Sequence, residues 1–394
     1  MKLCIHRGTH QIGGIAAEIA TEKTRILIDM GDELSLDPNF VSAPLYIPGV
    51  IDANGRCDGV LFTHYHGDHT GQMLRIRPEI PLYAGALAKD IMRLSSEHSW
   101  KRNDALCKRI ETIRTFSAGV PFQIGDIQIT PFGIDHSAVD SYLFLIEADG
   151  KRVLYTGDFR LHGVRGKTMD KILDWRIGKV DAVVTEGTTV SRTGRKTVTE
   201  WELQALVKAC LQHYKYVFVL CATTNLDRIF ALARAVPRGK YCLCDEYQRT
   251  LVETVSEHWS GISPFYEMPK LLAFKHHPPA RFAELGGLMF VRANSKFEAI
   301  IREYDPAQSI LLYSMWDGYR TKPGSTIPYF LSLTGTWETL HTSGHASPED
   351  LCHVIEKADP QFVIPMHTDA PQKMQALCPD RTVVLLKDRE EFTL

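Results

Sequence analysis

The chain has 394 residues, of which 44% are hydrophobic and 23% are charged, and its formal net charge is −2. This composition is typical of a globular enzyme with one elaborated domain or two average ones, and it excludes a protein that attracts nucleic acid by its overall charge. The N-terminus lacks the apolar run of a signal peptide, and no apolar stretch reaches the about 18 residues of a transmembrane helix. Because the nine cysteines are scattered, we expect a reduced, cytoplasmic protein with no membrane partner.

The first part of the chain is predicted to be rich in β-strands. Apolar runs indicate strands at 24–31, 59–64 and 181–188, and a pair of strands at 141–158. Asp149 and Gly150 lie between the two apolar halves of that pair, and this dipeptide favours a tight hairpin turn. We therefore expect an antiparallel hairpin there.

From about residue 190 the pattern changes to strands that alternate with helices. Strands are predicted at 216–222, 240–244, 287–293 and 309–314, and helices at 198–213, 226–236, 247–258 and 296–304. Such alternation predicts a mostly parallel sheet that helices cover on both faces. After about residue 335 short strand–helix units return, with a helix from Pro348 and strands at 362–367 and 382–387.

A dense group of potential metal ligands follows the second predicted strand. His64, His66, Asp68 and His69 lie within six residues, LFTHYHGDHTGQ, and their spacing suits a loop better than a helix. A zinc ion needs three or four nitrogen or oxygen ligands at about 2 Å, so this group can serve two ions only with further ligands from elsewhere.

The ends of three apolar strands offer those ligands. His136 follows ITPFGID, Asp158 closes LYTGD, and His367 closes FVIPM. Any one of these residues alone could simply end a strand as a polar cap. Together with the histidine loop, they predict a site for two metal ions.

The pattern resembles the metallo-β-lactamase superfamily, whose HxHxDH loop is matched in full by this sequence. The resemblance implies an α/β fold, an αβ/βα sandwich with two Zn²⁺ ions at one edge and Mn²⁺ as the alternative metal. It implies one metal bound by His64, His66 and His136, a second bound by Asp68, His69 and His367, and Asp158 as the bridge between them. Asp29 matches an early acidic position that supports the ligand loop without binding metal.

The spacing between the last ligands suggests an inserted domain. Asp158 and His367 are separated by 209 positions, and the alternating strands and helices fall in this interval. We predict an inserted α/β domain at 191–335, with 1–190 and 336–394 forming the metal domain. This placement resembles the β-CASP group of nucleases, and especially ribonuclease J.

Three motifs of that group occur in order. Glu186 in VVTEGTT matches the acidic motif before the insert, His345 in HTSGHAS matches the histidine motif after it, and His367 in IPMHTD is the final ligand. The resemblance implies that Asp68, Glu186 and His345 take part in catalysis. Glu186 has the weakest support, since it could instead pair with a surface arginine.

The segment HTSGHAS is the predicted phosphate-binding site, with residues His341, Ser343, Gly344 and His345. Ser347, Pro348 and Asp350 form a capping-box pattern, and the N-terminus of the following helix would favour an anion. The alternative is an ordinary helix cap.

Two further features leave alternatives open. Trp316 and Tyr319, in a segment that departs from the Ser-Pro-rich loop of ribonuclease J, could stack a base or pack between the domains. Basic residues could contact phosphates or lie on a solvated face, and they occur at 191–196, at Arg75 and Arg77, and at Lys101, Arg102, Lys108 and Arg109.

The working hypothesis is a ribonuclease that acts on single-stranded RNA. A hydroxide activated by two zinc ions would attack phosphorus, and His345, held by Glu186, would protonate the leaving 3′ oxygen to leave a 5′-phosphate. The alternatives are a DNA nuclease of the same group, a hydrolase of a lactone, thioester or cyclic nucleotide, and a binding protein with a vestigial metal site. Assembly into a homo-oligomer is left open.

Overall fold

The computed structural model describes residues 1–37, 39–99, 102–192 and 197–394, which form three β-sheets with helices packed against them. The strands are β1 (Lys2–Arg7), β2 (Ala16–Ala20), β3 (Arg25–Ile28), β4 (Gly59–Leu61), β5 (Leu82–Gly85), β6 (Arg114–Phe116), β7 (Phe122–Ile124), β8 (Ile127–Ile134), β9 (Ser141–Ala148), β10 (Lys151–Tyr155), β11 (Ala182–Glu186), β12 (Tyr216–Cys221), β13 (Tyr241–Asp245), β14 (Leu272–Phe274), β15 (Gly287–Val291), β16 (Ser309–Ser314), β17 (Trp337–Thr339), β18 (Phe362–Met366), β19 (Thr382–Val383) and β20 (Glu391–Thr393).

The helices of the same residues range from single turns to helices of fourteen residues. They are α1 (Gly67–Thr70), α2 (Ala86–His98), α3 (Asp104–Glu111), α4 (Thr168–Ile172), α5 (Glu200–His213), α6 (Leu226–Ala233), α7 (Glu246–Trp259), α8 (Phe282–Leu285), α9 (Ser295–Ile301), α10 (Asp317–Thr321), α11 (Ile327–Leu331), α12 (Pro348–Ala358) and α13 (Met374–Leu377). In the described part of the chain, no helix combines the length and the apolar composition that a membrane span requires.

The first two sheets have seven strands each and pack face to face. Their orders are β20-β1-β2-β3-β4-β5-β6 and β19-β18-β11-β10-β9-β8-β7. In β3, Ile26 and Ile28 point into the cluster between the sheets, whereas Leu27 points to the opposite side, toward Leu87 and Ile91 of α2. This alternation follows from the two-residue period of a strand, and it makes both faces of the sheet apolar.

The second sheet is covered in the same way. Phe144 and Ile146 of β9 face the first sheet, while Leu143 and Leu145 pack in the cluster that contains Val354 of α12. The layers are therefore helix, sheet, sheet and helix. The predicted αβ/βα sandwich is confirmed.

The third sheet has six strands in the order β14-β13-β15-β12-β16-β17, and all of its pairings are parallel. Val217 and Val219 of β12 pack on one face with α5, and Phe218 and Leu220 pack on the other face with α9. The predicted parallel sheet with helices on both faces is confirmed. Its last strand, β17, extends to Thr339, beyond the predicted boundary at 335, and the domain boundaries remain a prediction.

The hairpin of β9 and β10 forms where the sequence predicts it. The two strands are antiparallel neighbours, and the turn residues Asp149 and Gly150 have φ values of 50° and 70°. A tight hairpin turn with two positive φ angles matches the twist of its strands, which explains the preference for Asp-Gly.

Two local predictions differ from the structure. Asp68 and His69 lie on the single helical turn α1 rather than in a loop, since Thr70 N and Gly71 N donate to the carbonyls of His66 and Gly67. The last predicted strand, 382–387, is only the two-residue strand β19. The chain leaves the second sheet there because β20 pairs with β1 in the first sheet.

Candidate metal centre

The candidate metal centre lies where strands of the first two sheets end side by side. Asp29 follows β3 and His64 follows β4 in the first sheet. In the second sheet, His136, Asp158 and His367 follow β8, β10 and β18. The sandwich therefore brings to one edge polar residues that are far apart in sequence.

The predicted metal ligands form two groups, within each of which the ligand atoms lie within 4.8 Å of one another. The first group is His64, His66 and His136, and the second is Asp68, His69, Asp158 and His367. All seven predicted ligands are thus brought together. An overlapping third group contains Asp158, Glu186, His345 and His367.

The chemistry of these groups fits divalent metal ions. Their donors are imidazole nitrogens and carboxylate oxygens, which are the usual ligands of zinc. Nε2 of His64 is buried and has no hydrogen-bond partner among the described residues. A buried polar atom without a partner is costly, and a metal ion bound between the imidazoles would remove that cost.

Hydrogen bonds at Nδ1 orient three of the imidazoles so that Nε2 faces the centre. Nδ1 of His69 lies 2.8 Å from Oδ2 of Asp29, and Nδ1 of His136 lies 2.6 Å from the carbonyl oxygen of Gly344. Nδ1 of His367 lies 2.7 Å from Oγ1 of Thr188. Such contacts fix the tautomer and the ring orientation of a metal ligand.

The Asp29 carboxylate holds the start of the ligand loop by hydrogen bonds. It is fully buried, and its carboxylate accepts hydrogen bonds of 2.8 Å from both the backbone N–H and the hydroxyl of Thr63. The same carboxylate contacts His69, so one side chain ties the start of the loop to α1. Asp29 lies in none of the groups of candidate ligands that the described residues form, and its supporting role stays a prediction.

The first ligand group is suited to bind metal at neutral pH. Burial lowers the pKa of His66 to about 4, and burial together with the neighbouring imidazoles holds the pKa of His64 well below its ordinary value. Burial likewise lowers the pKa of His136. All three rings are therefore neutral, which is the form that donates a lone pair to a metal ion.

Glu186 and His345 form a close pair beside the ligands. Oε2 of Glu186 lies 3.0 Å from Nδ1 of His345, which in turn lies 3.6 Å from Oδ2 of Asp158. The other oxygen of Glu186 accepts from the backbone N–H groups of Phe159 and Ala346. Glu186 is thus buried and engaged within the centre, unlike the surface ion pair considered as an alternative.

The segment from His341 to His345 contacts a candidate metal ligand, its own backbone and a buried arginine. The carbonyl of Gly344 orients His136, and Oγ of Ser343 accepts a hydrogen bond from the backbone N–H of His345. Nδ1 of His341 lies 3.2 Å from Nη1 of Arg228. The predicted capping box of α12 is confirmed, with Ser347 as its first residue.

A buried network of charges beneath this segment was missed by sequence reasoning. Oε1 of Glu200 accepts from Nη1 of Arg160 at 2.9 Å and from Nη2 of Arg228 at 2.6 Å. Arg160 also donates to Asp135 and to the carbonyl of Ser343. The four charged residues are almost fully buried. The sequence signals only Arg160, which lies two positions beyond Asp158. Glu200 and Arg228 lie on amphipathic helices, where charged residues are ordinarily exposed.

The predicted basic residues take different roles. Arg109 is buried and donates to three backbone carbonyls, Arg77 pairs with Glu79, and Arg102 pairs with Asp104. Arg75 and Lys108 are exposed, and so is Arg192. Lys101 and the stretch 193–196 lie outside the described residues.

A family model identifies the fold family. A model described as a Beta-lactamase superfamily domain matches residues 24–219, which hold every predicted ligand except His367. The protein belongs to the metallo-β-lactamase superfamily. This superfamily member carries a buried His/Asp cluster suited to divalent metal.

Across its whole length, the superfamily member resembles ribonuclease J. The ribonuclease J of Helicobacter pylori is 20% identical in strain ATCC 700392 / 26695 and 28% identical in strain J99, over 428 residues that cover 98% of this chain and 59% of the relative. The chain therefore spans about 59% of the length of these relatives.

Two further proteins show the range of similarity. The Exodeoxyribonuclease YycJ of Bacillus anthracis is 25% identical over 145 residues, which cover 36% of this chain and 48% of that protein. A solved structure described as a protein of unknown function from Enterococcus faecalis V583 has a TM-score of 0.79 at 18% identity. It covers 100% of this chain and 99% of its own, so the fold is shared along the entire chain.

Proposed function

We propose that the protein is a metal-dependent ribonuclease that hydrolyses single-stranded RNA and leaves 5′-phosphate ends. The observation that carries the proposal is the Glu186–His345 pair, which adjoins the metal ligands and shares a group with Asp158 and His367. A carboxylate that holds an imidazole beside a metal centre suits proton transfer to a leaving oxygen. The resemblance to ribonuclease J over 98% of the chain supports RNA as the substrate.

We assign two metal ions to the centre, Zn²⁺ with Mn²⁺ as the alternative. The first would be held by His64, His66 and His136, the second by Asp68, His69 and His367, with Asp158 between them. Bound there, the ions supply a nucleophile from water at neutral pH and neutralise charge on the phosphodiester. The carboxylates of Asp68 and Asp158 orient the attacking water toward phosphorus.

His345 is the proposed general acid. Its Nδ1 contacts Glu186, so its Nε2–H points away from that carboxylate and can reach a leaving oxygen. Although burial opposes it, the negative charges of Glu186 and Asp158 raise the pKa of His345 to about 9, which favours the protonated ring that a general acid requires. Its side chain is 22% exposed, which leaves it accessible to a substrate. His345 would protonate the leaving 3′ oxygen.

The proposed phosphate-binding residues offer neutral hydrogen-bond donors. Burial and the nearby positive charge of Arg228 lower the pKa of His341 to about 3, so this ring would donate from Nε2 without a charge. Oγ of Ser343 accepts from a backbone N–H, which leaves its own O–H to donate to a phosphate oxygen. At Gly344 the carbonyl is engaged by His136, and only the N–H remains for the substrate.

The direct test uses metal-loaded protein and 5′-labelled single-stranded RNA, with DNA of the same sequence as the second substrate. Asp158→Asn serves as the blank for a contaminating nuclease. Cleavage of RNA by the wild type alone, with 5′-phosphate on the new ends, is the expected result. Cleavage of neither nucleic acid by protein with bound metal would overturn the proposal.

A DNA nuclease is the second candidate function. The similarity to the Exodeoxyribonuclease YycJ, which includes part of this chain only, favours it. The matched DNA in the same assay separates the two, since preference for DNA would contradict the assignment of RNA. Hydrolysis of a lactone, thioester or cyclic nucleotide has less support as a function, because such small substrates do not require the third sheet.

We propose that the protein acts in the cytoplasm. All nine cysteines lie in the described part of the chain and are free thiols, which favours the reducing cytoplasm where RNA is turned over.

A further inference from the structure

The loops that follow β12 and β16 leave the third sheet at the same end, and the loop beyond β12 contacts the ligand loop. Strands β12 and β16 are parallel neighbours in register, with Cys221 opposite Ser314 at their carboxyl ends. Beyond β12, the carbonyl of Thr224 accepts a 2.8 Å hydrogen bond from Oη of Tyr65. Because Tyr65 lies between the ligands His64 and His66, this end of the sheet adjoins the centre. In open parallel sheets, ligands bind at the carboxyl ends of the strands.

The loop beyond β16 carries an exposed aromatic pair at this end of the sheet. Trp316 is 42% exposed and Tyr319 is 46% exposed, and their rings meet edge to face with centroids 5.4 Å apart. The seam between the domains therefore does not bury them, which was the alternative open from the sequence. Half-exposed aromatic rings beside a binding site are suited to stack on a planar ligand.

The backbone of this loop is held in place from within. The carbonyl of Trp316 accepts hydrogen bonds from Oη of Tyr313 at 2.7 Å and from the backbone N–H of Tyr319 at 3.1 Å. Gly318 lets the indole pack closely, since a Cβ atom there would lie 2.3 Å from the Trp316 ring. A loop fixed in this way presents its aromatic rings without a large ordering cost on binding.

One chain of contacts connects the end of β16 to the proposed phosphate-binding residues. Oγ of Ser314 accepts a hydrogen bond from Arg228, which also contacts His341.

We propose that Trp316 and Tyr319 form a subsite for one nucleobase of the single-stranded substrate, next to the phosphate held at the metal centre. The inference rests on the proposed nuclease function and adds to it a contact with the base. Stacking of this kind accepts every base, because each base has an aromatic face, so the subsite favours single strands over duplexes and no particular sequence.

The test compares Trp316→Ala and Tyr319→Ala with wild-type, metal-loaded protein on 5′-labelled single-stranded RNA. The conservative control is Trp316→Phe, and the positional control is Trp175→Ala, because Trp175 is 77% exposed on a different helical turn. We expect each alanine variant to lower kcat/KM by about 5- to 100-fold through KM. Trp175→Ala should stay close to wild type, Trp316→Phe should lose less than Trp316→Ala because it keeps an aromatic face, and bound metal should be unchanged in every variant.

Abasic RNA distinguishes stacking from a merely structural role. An oligonucleotide with a single abasic site, moved along the strand, should lose affinity for the wild type at one position and none for Trp316→Ala at that position. Equal kcat/KM for wild type and both alanine variants on intact RNA would overturn the subsite while leaving the nuclease standing. If the wild type neither binds nor cleaves RNA or DNA, the proposed function and the subsite both fail.

Discussion

The ligand loop and the His341–His345 segment both bring histidines to the same centre, but different interactions hold them. The ligand loop follows β4 directly, and the Asp29 carboxylate ties it down through Thr63 and His69. Its position is set within the first sheet, by the ends of neighbouring strands.

The segment depends instead on charges contributed by two parts of the molecule. Arg160 follows a strand of the sandwich, whereas Glu200 and Arg228 lie on α5 and α6, which pack on the third sheet. These buried charges hold the carbonyls of Thr342 and Ser343. The comparison teaches that the ligand loop and the segment have different supports, which are joined at the Gly344 carbonyl that orients His136. Mutations should therefore affect metal binding and proton donation to different extents.

The largest effect is expected for Asp158→Asn, because the Asp158 carboxylate lies in two groups of candidate ligands. Asp158 shares one ligand group with His69 and another with His345. We expect this variant to lose bound metal and to fall to background turnover. Metal analysis of the purified protein and the RNA assay measure the two losses, and full activity with two bound metals would contradict the assignment of Asp158.

His345→Ala should separate the two regions. We expect it to keep its metal and to lose about 10²- to 10⁴-fold in kcat, the usual contribution of a general acid. Glu186→Gln is the matched variant and should lose less, because the imidazole remains. Metal loss in His345→Ala would show that this histidine is a ligand rather than the acid.

Glu200→Gln should destabilise the segment and its surroundings. Removing the shared carboxylate breaks the ion pair of the buried Arg228 and leaves Arg160 paired with Asp135 alone. Breaking a buried ion pair costs about 3 to 5 kcal/mol. Chemical denaturation at pH 7 measures this loss. Stability within 1 kcal/mol of the wild type, a threshold of about the size of a surface ion pair, would argue against the network.

The same residue should give stability a defined pH dependence. Although burial opposes it, Arg228 and Arg160 lower the pKa of Glu200 from 4.5 to about 2 in the folded protein. This stabilisation is complete above pH 4.5 and is lost as the pH falls through 2. Denaturation midpoints measured across that window should fall more steeply for the wild type than for Glu200→Gln.

The smallest of these effects is expected for Asp29→Asn. The variant keeps a side chain of the same shape but weakens the contacts that orient His69, which typically costs 10- to 100-fold in metal affinity. Metal titration against a competing chelator measures the change. Activity at saturating metal should stay near that of wild type, and an unchanged affinity would contradict the supporting role.

The sequence indicates the candidate ligands more clearly than the buried charges that hold the His341–His345 segment. Four potential ligands within six residues form a rare pattern, and the strand ends that carry His136, Asp158 and His367 are apolar runs that are easily recognised. The αβ/βα sandwich was expected from the resemblance to the metallo-β-lactamase superfamily, whereas the parallel third sheet was expected from the alternation of strands and helices. That alternation and the ligand loop are local features of the sequence, which explains why they could be recognised.

The network of buried charges could not be predicted for the opposite reason. Glu200 and Arg228 lie on helices, where a charged residue is ordinarily exposed, and only the packing of α5 and α6 makes them buried. The carbonyl of Gly344 was likewise unpredictable as a partner of His136, since 208 positions separate them. The turn α1 was missed because it is only four residues long.

The peptide unit between Gly344 and His345 connects two equilibria. Its carbonyl oxygen orients a metal ligand, and its N–H belongs to the residue proposed to donate the proton. A metal ion that reorients the His136 ring should therefore shift the backbone at His345. A substrate that shifts His345 should in turn reorient His136. Since coupling between two binding events is reciprocal, substrate should change the affinity for metal by the same factor by which metal changes the affinity for substrate.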